Sequence, residues 1–279
     1  MRVSPAFRFI SRAAVLVLIV GLAGCSLFHH GKKGDPLDTL PVAELYQKGV
    51  DALDVGNNDY ATRVFERLVS RFPFGPYTEQ SQLNLAYAQY KSDKSDDAYS
   101  TVNRFIKTYP THRHIDYGYY LRGLINFNRS AGFLERYVGS DMTQRDQGNM
   151  RQAFDDFGAL VSRFPQSRYT DDARQRMVYL RNMMAQSDLN IALFYLKRNA
   201  YVAAANRAKS VIETYPQSPQ AGDALAVMVE SYKKLGQDKL ADDAERVLKL
   251  NYPNHAYFSG HWPKYPSNWW KLVPLMNRG

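Results

Sequence analysis

GVDALDVGNNDYATRVFERLVSRFP, Gly49 to Pro73, decides the fold. Gly49 is followed twelve positions on by a second small residue, Ala61, then by a large ring at Phe65 and by Pro73. Two antiparallel helices explain this spacing. Where the helices cross, side chains must be small, because the axes approach closely. The ring one turn on fills the space beside the crossing. The proline ends the second helix and turns the chain.

The frame recurs. An aromatic-proline pair stands at Phe72-Pro73, Tyr109-Pro110, Phe164-Pro165, Tyr215-Pro216 and Tyr252-Pro253, with spacings of 37, 55, 51 and 37 residues. Two spacings lie near the 34-residue period of tetratricopeptide units, and the other two fit the same unit with about 20 residues added. The second unit reads Ala86, Ala98, Val102 and Pro110, with Phe105 one turn on, and the fourth Ala192, Ala204, Ala208 and Pro216. The fifth keeps Val229, Ala241 and Pro253 but sets Glu245 at the large apolar position. The expected fold is all-α, a right-handed superhelix of five tetratricopeptide repeats, about ten helices. The third unit departs. Gly123 opens it, but Ala153, Phe157 and Pro165 follow only after an insertion, Ser130 to Asn149, read as an ordered loop. From Thr170, read as an N-cap, to about Arg198 neither Pro nor Gly interrupts, so one long helix should link the two halves.

The first residues are not part of this body. Arg2, Arg8 and Arg12 precede a 12-residue apolar run, Ala13 to Gly24. A bilayer span takes roughly 20 apolar residues, so residues 1–24 read as a signal peptide. Leu22-Ala23-Gly24-Cys25 resembles the lipobox of bacterial lipoproteins, in which the cysteine thiol takes a lipid and the chain is cut before it. Cys25 is the single cysteine, so no internal disulfide or multi-cysteine metal site exists. Ser26 after it, with no Asp, implies by the same resemblance export to the outer membrane. Residues 25–40 read as a flexible tether, residues 41–165 as repeats 1–3, 166–253 as repeats 4–5, and 254–279, with Trp262, Trp269 and Trp270, as a non-helical tail.

The net charge is +9, and +6 from Cys25 onward, because Arg2, Arg8 and Arg12 leave with the signal. No dense Lys/Arg run accompanies it, which speaks against nucleic acid. No G-x-S-x-G, H-E-x-x-H or Gly-rich phosphate loop occurs. Asp155-Asp156 and Asp171-Asp172 are adjacent and face apart on a helix, so they form no acid/base pair. His29-His30 read as part of a solvated tether and His112 and His114 as histidines of an inter-repeat turn, with no metal and no cofactor expected. The chain reads as a binding protein, not an enzyme. Counting from the crossing residues, Tyr46, Tyr87, Tyr90, Tyr117, Tyr120 and Phe127 fall on the concave positions of the first helices. They are a candidate groove for an extended peptide, since rings offer contact area at low entropy cost; packing between helices accounts for them equally well.

RFPFGPY (Arg71–Tyr77), PTHRHIDYGYYLRGL (Pro110–Leu124), RQAFDDFGALVSRFPQSRYTDDA (Arg151–Ala173) and YLKRNAYVAAANRA (Tyr195–Ala208), behind a lipobox, resemble the BamD family, lipoproteins of the outer-membrane β-barrel assembly machinery. The insertion keeps Gly139, Asp141, Arg145 and Asp146 of the segment that family carries there. The resemblance implies a periplasm-facing, lipid-anchored outer-membrane scaffold. Its implied partners are the periplasmic domains of a BamA-like barrel subunit, BamC- and BamE-like lipoproteins, and unfolded outer-membrane proteins. It also places the barrel-subunit contact on the C-terminal repeats, where Arg207 offers a planar fork to a carboxylate. The alternative from another class is a periplasmic tetratricopeptide adaptor that recruits cell-wall enzymes.

Overall fold

The computed structural model describes residues 35–135 and 147–263. Cys25, the signal, residues 25–34 of the tether, the insertion residues Gly139, Asp141, Arg145 and Asp146, and the tail from residue 264 lie outside the described residues. Among those described are ten α-helices and no strand: α1 (Val42–Asp54), α2 (Asn58–Arg71), α3 (Pro76–Lys91), α4 (Ser95–Thr108), α5 (Ile115–Glu135), α6 (Gly148–Arg163), α7 (Thr170–Lys197), α8 (Tyr201–Thr214), α9 (Ala221–Lys234) and α10 (Asp238–Asn251). Consecutive helices pair into five hairpins, and each hairpin stacks on the next. The core is a series of layers rather than a single centre.

The crossings follow size complementarity. A Cβ on Gly49 would lie 2.5 Å from the Phe65 ring, and one on Gly123 2.5 Å from the Phe157 ring. Repeats 1 and 3 therefore match glycine to phenylalanine. Repeat 2 matches Ala86 to Val102 and repeat 4 Ala192 to Ala208, all four fully buried. Close packing demands this exchange of volume between facing positions.

The hairpin turn is also written into the repeat. Seven residues after the crossing residue stand Gly56, Asp93, Asn199 and Gly236, all with positive φ (75°, 58°, 58° and 67°). Glycine, and less readily Asn and Asp, tolerate that left-handed turn. Repeat 3 has Ser130 there, and α5 runs on to Glu135. The expected loop Ser130–Asn149 is therefore shorter than the sequence reading had it: its first six residues continue α5, and Gly148 and Asn149 belong to α6. No proline or left-handed residue stops the helix, and one glycine costs only about 1 kcal/mol.

Every second helix ends alike. Phe72, Tyr109, Phe164, Tyr215 and Tyr252 are the five C-caps, each at φ between −124° and −136°. The proline that follows each excludes the helical region at the preceding residue. Thr170 corrects another expectation. It is the first helical residue after Tyr169, not the cap. Its buried hydroxyl donates instead to the Phe164 carbonyl at 2.8 Å, and Thr78 does the same to Phe72. Those carbonyls, left over where the helices end, are thereby satisfied.

Both ends of the solenoid are closed. Residues 35–40 do not behave as tether. Leu37 is buried against Leu45, Val64 and Leu68, and Arg71 Nη1 donates to the Leu37 and Leu40 carbonyls at 2.7 and 3.0 Å. Arg67 reaches Asp38 at 3.0 Å. At the other end the chain folds back over α9 and α10. Tyr257 and Trp262 cover Leu225, Ala226 and Leu248. Trp262 Nε1 donates to Asp223 at 2.5 Å, and the Tyr257 hydroxyl donates to Glu230 at 2.9 Å and accepts from Lys233 at 3.0 Å. Lys233 also pairs with Glu245 at 2.7 Å, which accommodates the charge at the large apolar position of repeat 5.

Candidate functional site

Of the six groove candidates, Tyr46 borders a cleft whose lining includes none of the other five. All six are half-buried, on the first helices of repeats 1–3. Tyr46 stands apart from the others, its ring 5.3 Å from Tyr77 and 6.4 Å from Phe65. With Pro76, Glu79, Gln80 and the turn Thr108 to His114, Tyr46 and Tyr77 bound an open cleft of about 880 Å³. The turn is held by its own imidazoles. His112 Nδ1 accepts from the His114 backbone N–H at 3.1 Å, and Arg113 Nε donates to His114 Nε2 at 2.8 Å. Burial, together with the neighbouring His114, holds the His112 pKa below its usual 6.5. Arg113 and Glu79 bring one charge of each sign to the cleft, and Phe74, 88% exposed, projects from the turn before α3.

Tyr117, Tyr120 and Phe127 join one aromatic cluster, and Tyr87 and Tyr90 pack with Tyr117 against the repeat-2 core. Tyr120 stacks on Tyr169 with centroids 4.8 Å apart, and Tyr117 lies 5.3 Å from Tyr169. Phe127 meets Phe157 at 6.3 Å and Tyr179 at 5.8 Å, with the Arg176 guanidinium 4.8 Å over its face. Tyr90 accepts from Asn128 Nδ2 at 2.7 Å. The Tyr120 hydroxyl donates to Asp172 at 2.6 Å, and Arg176 Nε binds the same carboxylate oxygen at 2.6 Å. Burial, then the Asp172 hydrogen bond, pushes the Tyr120 pKa up to about 12. Burial opposes the Asp172 charge, but the bonds from Arg176 and Tyr120 outweigh it and hold that carboxyl below its usual range. Burial also raises Tyr117, beside Tyr87. These rings satisfy one another and join repeats 2, 3 and 4. They form a spine with one side open to solvent.

Sequence reasoning missed Tyr77, Tyr169, Tyr179 and Arg176, and gave the His112–His114 turn no place beside a cleft. A signal for two of them was present: Phe-Pro-x-x-x-Tyr-Thr occurs twice, ending at Thr78 and Thr170. In both copies the threonine caps the preceding helix and the tyrosine joins the aromatic surface.

Arg207 lies on α8, its side chain 40% exposed. It is not a free guanidinium. Nη1 sits 3.3 Å from Oδ1 of Asp188 on α7, whose side chain is 5% exposed. Among the described residues no group of His, Cys, Asp and Glu is arranged to hold a metal ion, and no helix is long and apolar enough to cross a membrane.

The outer membrane lipoprotein family YfiO matches residues 38–247, which span all five hairpins. The outer membrane protein assembly factor BamD of Xylella fastidiosa (strain 9a5c) is 47% identical over 263 residues, covering 94% of this chain and 89% of that protein. The chain belongs to the BamD family of outer-membrane lipoproteins. Within that family the Neisseria gonorrhoeae assembly factor BamD is 40% identical over 230 residues, 82% of this chain and 86% of its own length. Among solved structures, the TPR2AB-domain:pHSP90 complex of yeast Sti1 covers 77% of this chain and 79% of its own, at a TM-score of 0.42 and 12% identity. The family's repeats occupy the whole described body, so the cleft, the aromatic spine and Arg207 all lie on or beside the matched segment.

Proposed function

We propose that this chain is a lipid-anchored outer-membrane protein assembly factor facing the periplasm, a scaffold and not a catalyst. The observation that carries this reading is the match to assembly factors over 94% of the chain, on five repeats closed at both ends. In this reading residues 1–24 are removed and Cys25 carries the lipid. With the body beginning at Asp35, about ten residues connect anchor to scaffold, at most roughly 35 Å when extended. The scaffold is thereby kept close to the membrane.

The two ends of the body take different partners. The cleft at Tyr46 and Tyr77, of a size suited to a few side chains, receives an extended segment of an unfolded outer-membrane protein. The C-terminal repeats dock the periplasmic domains of a BamA-like barrel subunit through Arg207, and BamC- and BamE-like lipoproteins complete the assembly. Binding alone serves this role, and no cofactor is required.

The test is purification of the lipidated chain from outer membranes with identification of what accompanies it. Recovery of a barrel subunit in stoichiometric amount is the expected outcome, and recovery of cell-wall enzymes alone would refute the reading. Tyr46→Ala with Tyr77→Ala should abolish crosslinking of unfolded barrel segments to the cleft while leaving the barrel subunit bound.

A further inference from the structure

The segment that folds back over repeat 5 ends at a cleft. Tyr257 and Trp262 cover Leu225, Ala226 and Leu248, but on the side toward repeat 4 this layer has an open edge. Leu196 from the end of α7, Tyr201 from the start of α8, and Tyr257, Phe258, Trp262 and Pro263 bound a cleft there of about 570 Å³. That is a size suited to a few side chains. Glu230, Lys234 and Glu245 complete its wall. Glu245 also borders a second, more open depression of about 560 Å³ along α10, with Asp242, Arg246, Lys249 and Leu250. Leu250 is 80% exposed. Pro263, in the wall of the cleft, is also the last described residue, and sixteen residues follow it, Lys264 to Gly279. They hold Trp269, Trp270, Leu272, Val273, Leu275 and Met276, and no Asp or Glu.

We propose that Lys264–Gly279 docks on this surface of its own chain, seating Trp269 and Trp270 in the cleft and laying Leu272 to Met276 along α10. Three observations select this occupant. The first is continuity: the described part of the same segment already packs on α9 and α10, and the cleft is the edge of that interface. The second is reach. Six residues separate Pro263 from Trp269, a span of at most about 20 Å when extended. Tyr265-Pro266-Ser267-Asn268 between them has the composition of a turn, which brings the chain back to where it left. The third is chemical fit. An indole presents a large apolar ring and one N–H, and a buried N–H needs an acceptor. Trp262 finds one in Asp223, and the cleft offers Glu230 and Glu245 to the next indoles. The short tether holds the segment at an effective concentration in the millimolar range, so modest contacts suffice. The docked segment would tie the α7–α8 turn of repeat 4 to α10 of repeat 5. This goes beyond the assembly reading and does not depend on it.

The experiment uses the mature chain from residue 25 with Cys25→Ser and no detergent, so that no micelle buries the rings. Emission of Trp269 and Trp270 is read as the difference between this chain and its Trp269→Phe, Trp270→Phe counterpart, which leaves Trp262 in the wall. Acrylamide should quench it about threefold less steeply than it quenches the free peptide Lys264–Gly279, since docked rings are shielded. The protection should not depend on protein concentration. Phe258→Ala alters a ring that is 38% exposed, so helicity should be unchanged while quenching rises most of the way to that of the peptide. Tyr201→Ala, on the opposite wall, should act in the same direction. Peptide-like quenching in the parent chain overturns the proposal. So does protection that appears only as protein concentration rises, which assigns the segment to a second copy. Protection that appears only with phosphatidylethanolamine–phosphatidylglycerol vesicles assigns it to the membrane and overturns the proposal equally. Protection that survives both Phe258→Ala and Tyr201→Ala refutes the cleft as the seat of the rings.

Discussion

Replacing Gly123 and Gly158 by alanine, one at a time, should move stability in opposite directions. Both glycines lie inside helices of repeat 3, Gly123 on α5 and Gly158 on α6. A Cβ on Gly123 would fall 2.5 Å from Phe157 Cε1 and 2.6 Å from Cδ1. That ring cannot yield easily: it is fully buried, with Tyr120 at 6.1 Å and Phe127 at 6.3 Å. Forcing a methyl into such a core costs about 1–3 kcal/mol, and here the upper end applies because ring atoms, not a flexible tip, stand in the way. Alanine returns about 0.5–1 kcal/mol of helix propensity, leaving a net loss of about 2 kcal/mol for Gly123→Ala. A Cβ on Gly158 would meet only Met177 Cε at 3.6 Å, an ordinary contact. Gly158→Ala therefore keeps the propensity gain and should stabilise by about 0.5–1 kcal/mol. Urea denaturation followed by far-ultraviolet circular dichroism measures both. Adding Phe157→Leu to Gly123→Ala should cost less than the two changes separately, because the smaller side chain admits the methyl. A Gly123→Ala protein as stable as its parent would refute the crossing argument for the whole repeat.

Trp262→Ala removes the half-buried ring that closes the last repeat; it should cost about 1–2 kcal/mol, less than the 3–5 of a fully buried ring, and hydrogen exchange should rise first in α9 and α10. Thr170→Val keeps the side-chain shape but strips the Phe164 carbonyl of its donor, at a cost of about 1–2 kcal/mol by thermal denaturation. Burial, with His114 beside it, lowers the pKa of His112 in the folded chain. The unfolded chain takes up the proton first as pH falls through about 6.5, so stability should be unaffected above this value and decline below it. His112→Gln should remove that part of the decline, seen as a flatter dependence of the thermal midpoint on pH between about 7 and 5.

The frame of the repeats was legible because each element has a local physical cause. Small residues at Gly49, Ala86, Gly123 and Ala192 announce the helix crossings, and the five aromatic-proline pairs announce the ends of the second helices. The long helix α7 followed from an absence of breakers. What escaped the sequence depended on contacts between distant residues. Thr170 has the composition of an N-cap, yet its hydroxyl is drawn to the Phe164 carbonyl six residues back. Residues 35–40 look like linker because nothing in their composition shows that Arg71 will hold their carbonyls. The six groove candidates were found from helix register alone. Register gives the face of a helix but not its neighbours, so the separation of Tyr46 from the Tyr117–Tyr120–Phe127 cluster could not be seen. Arg207 was likewise visible as an isolated cation among alanines, whereas its partner Asp188 sits nineteen residues earlier on another helix.

Conditional depletion of the chain in its own host, with outer-membrane β-barrel proteins quantified against a lipoprotein control, tests the central claim most directly. An assembly factor predicts that folded barrels fall as the chain is lost while unfolded precursors accumulate in the periplasm. Normal barrel levels with altered cell-wall cleavage would contradict the account and favour an adaptor for cell-wall enzymes.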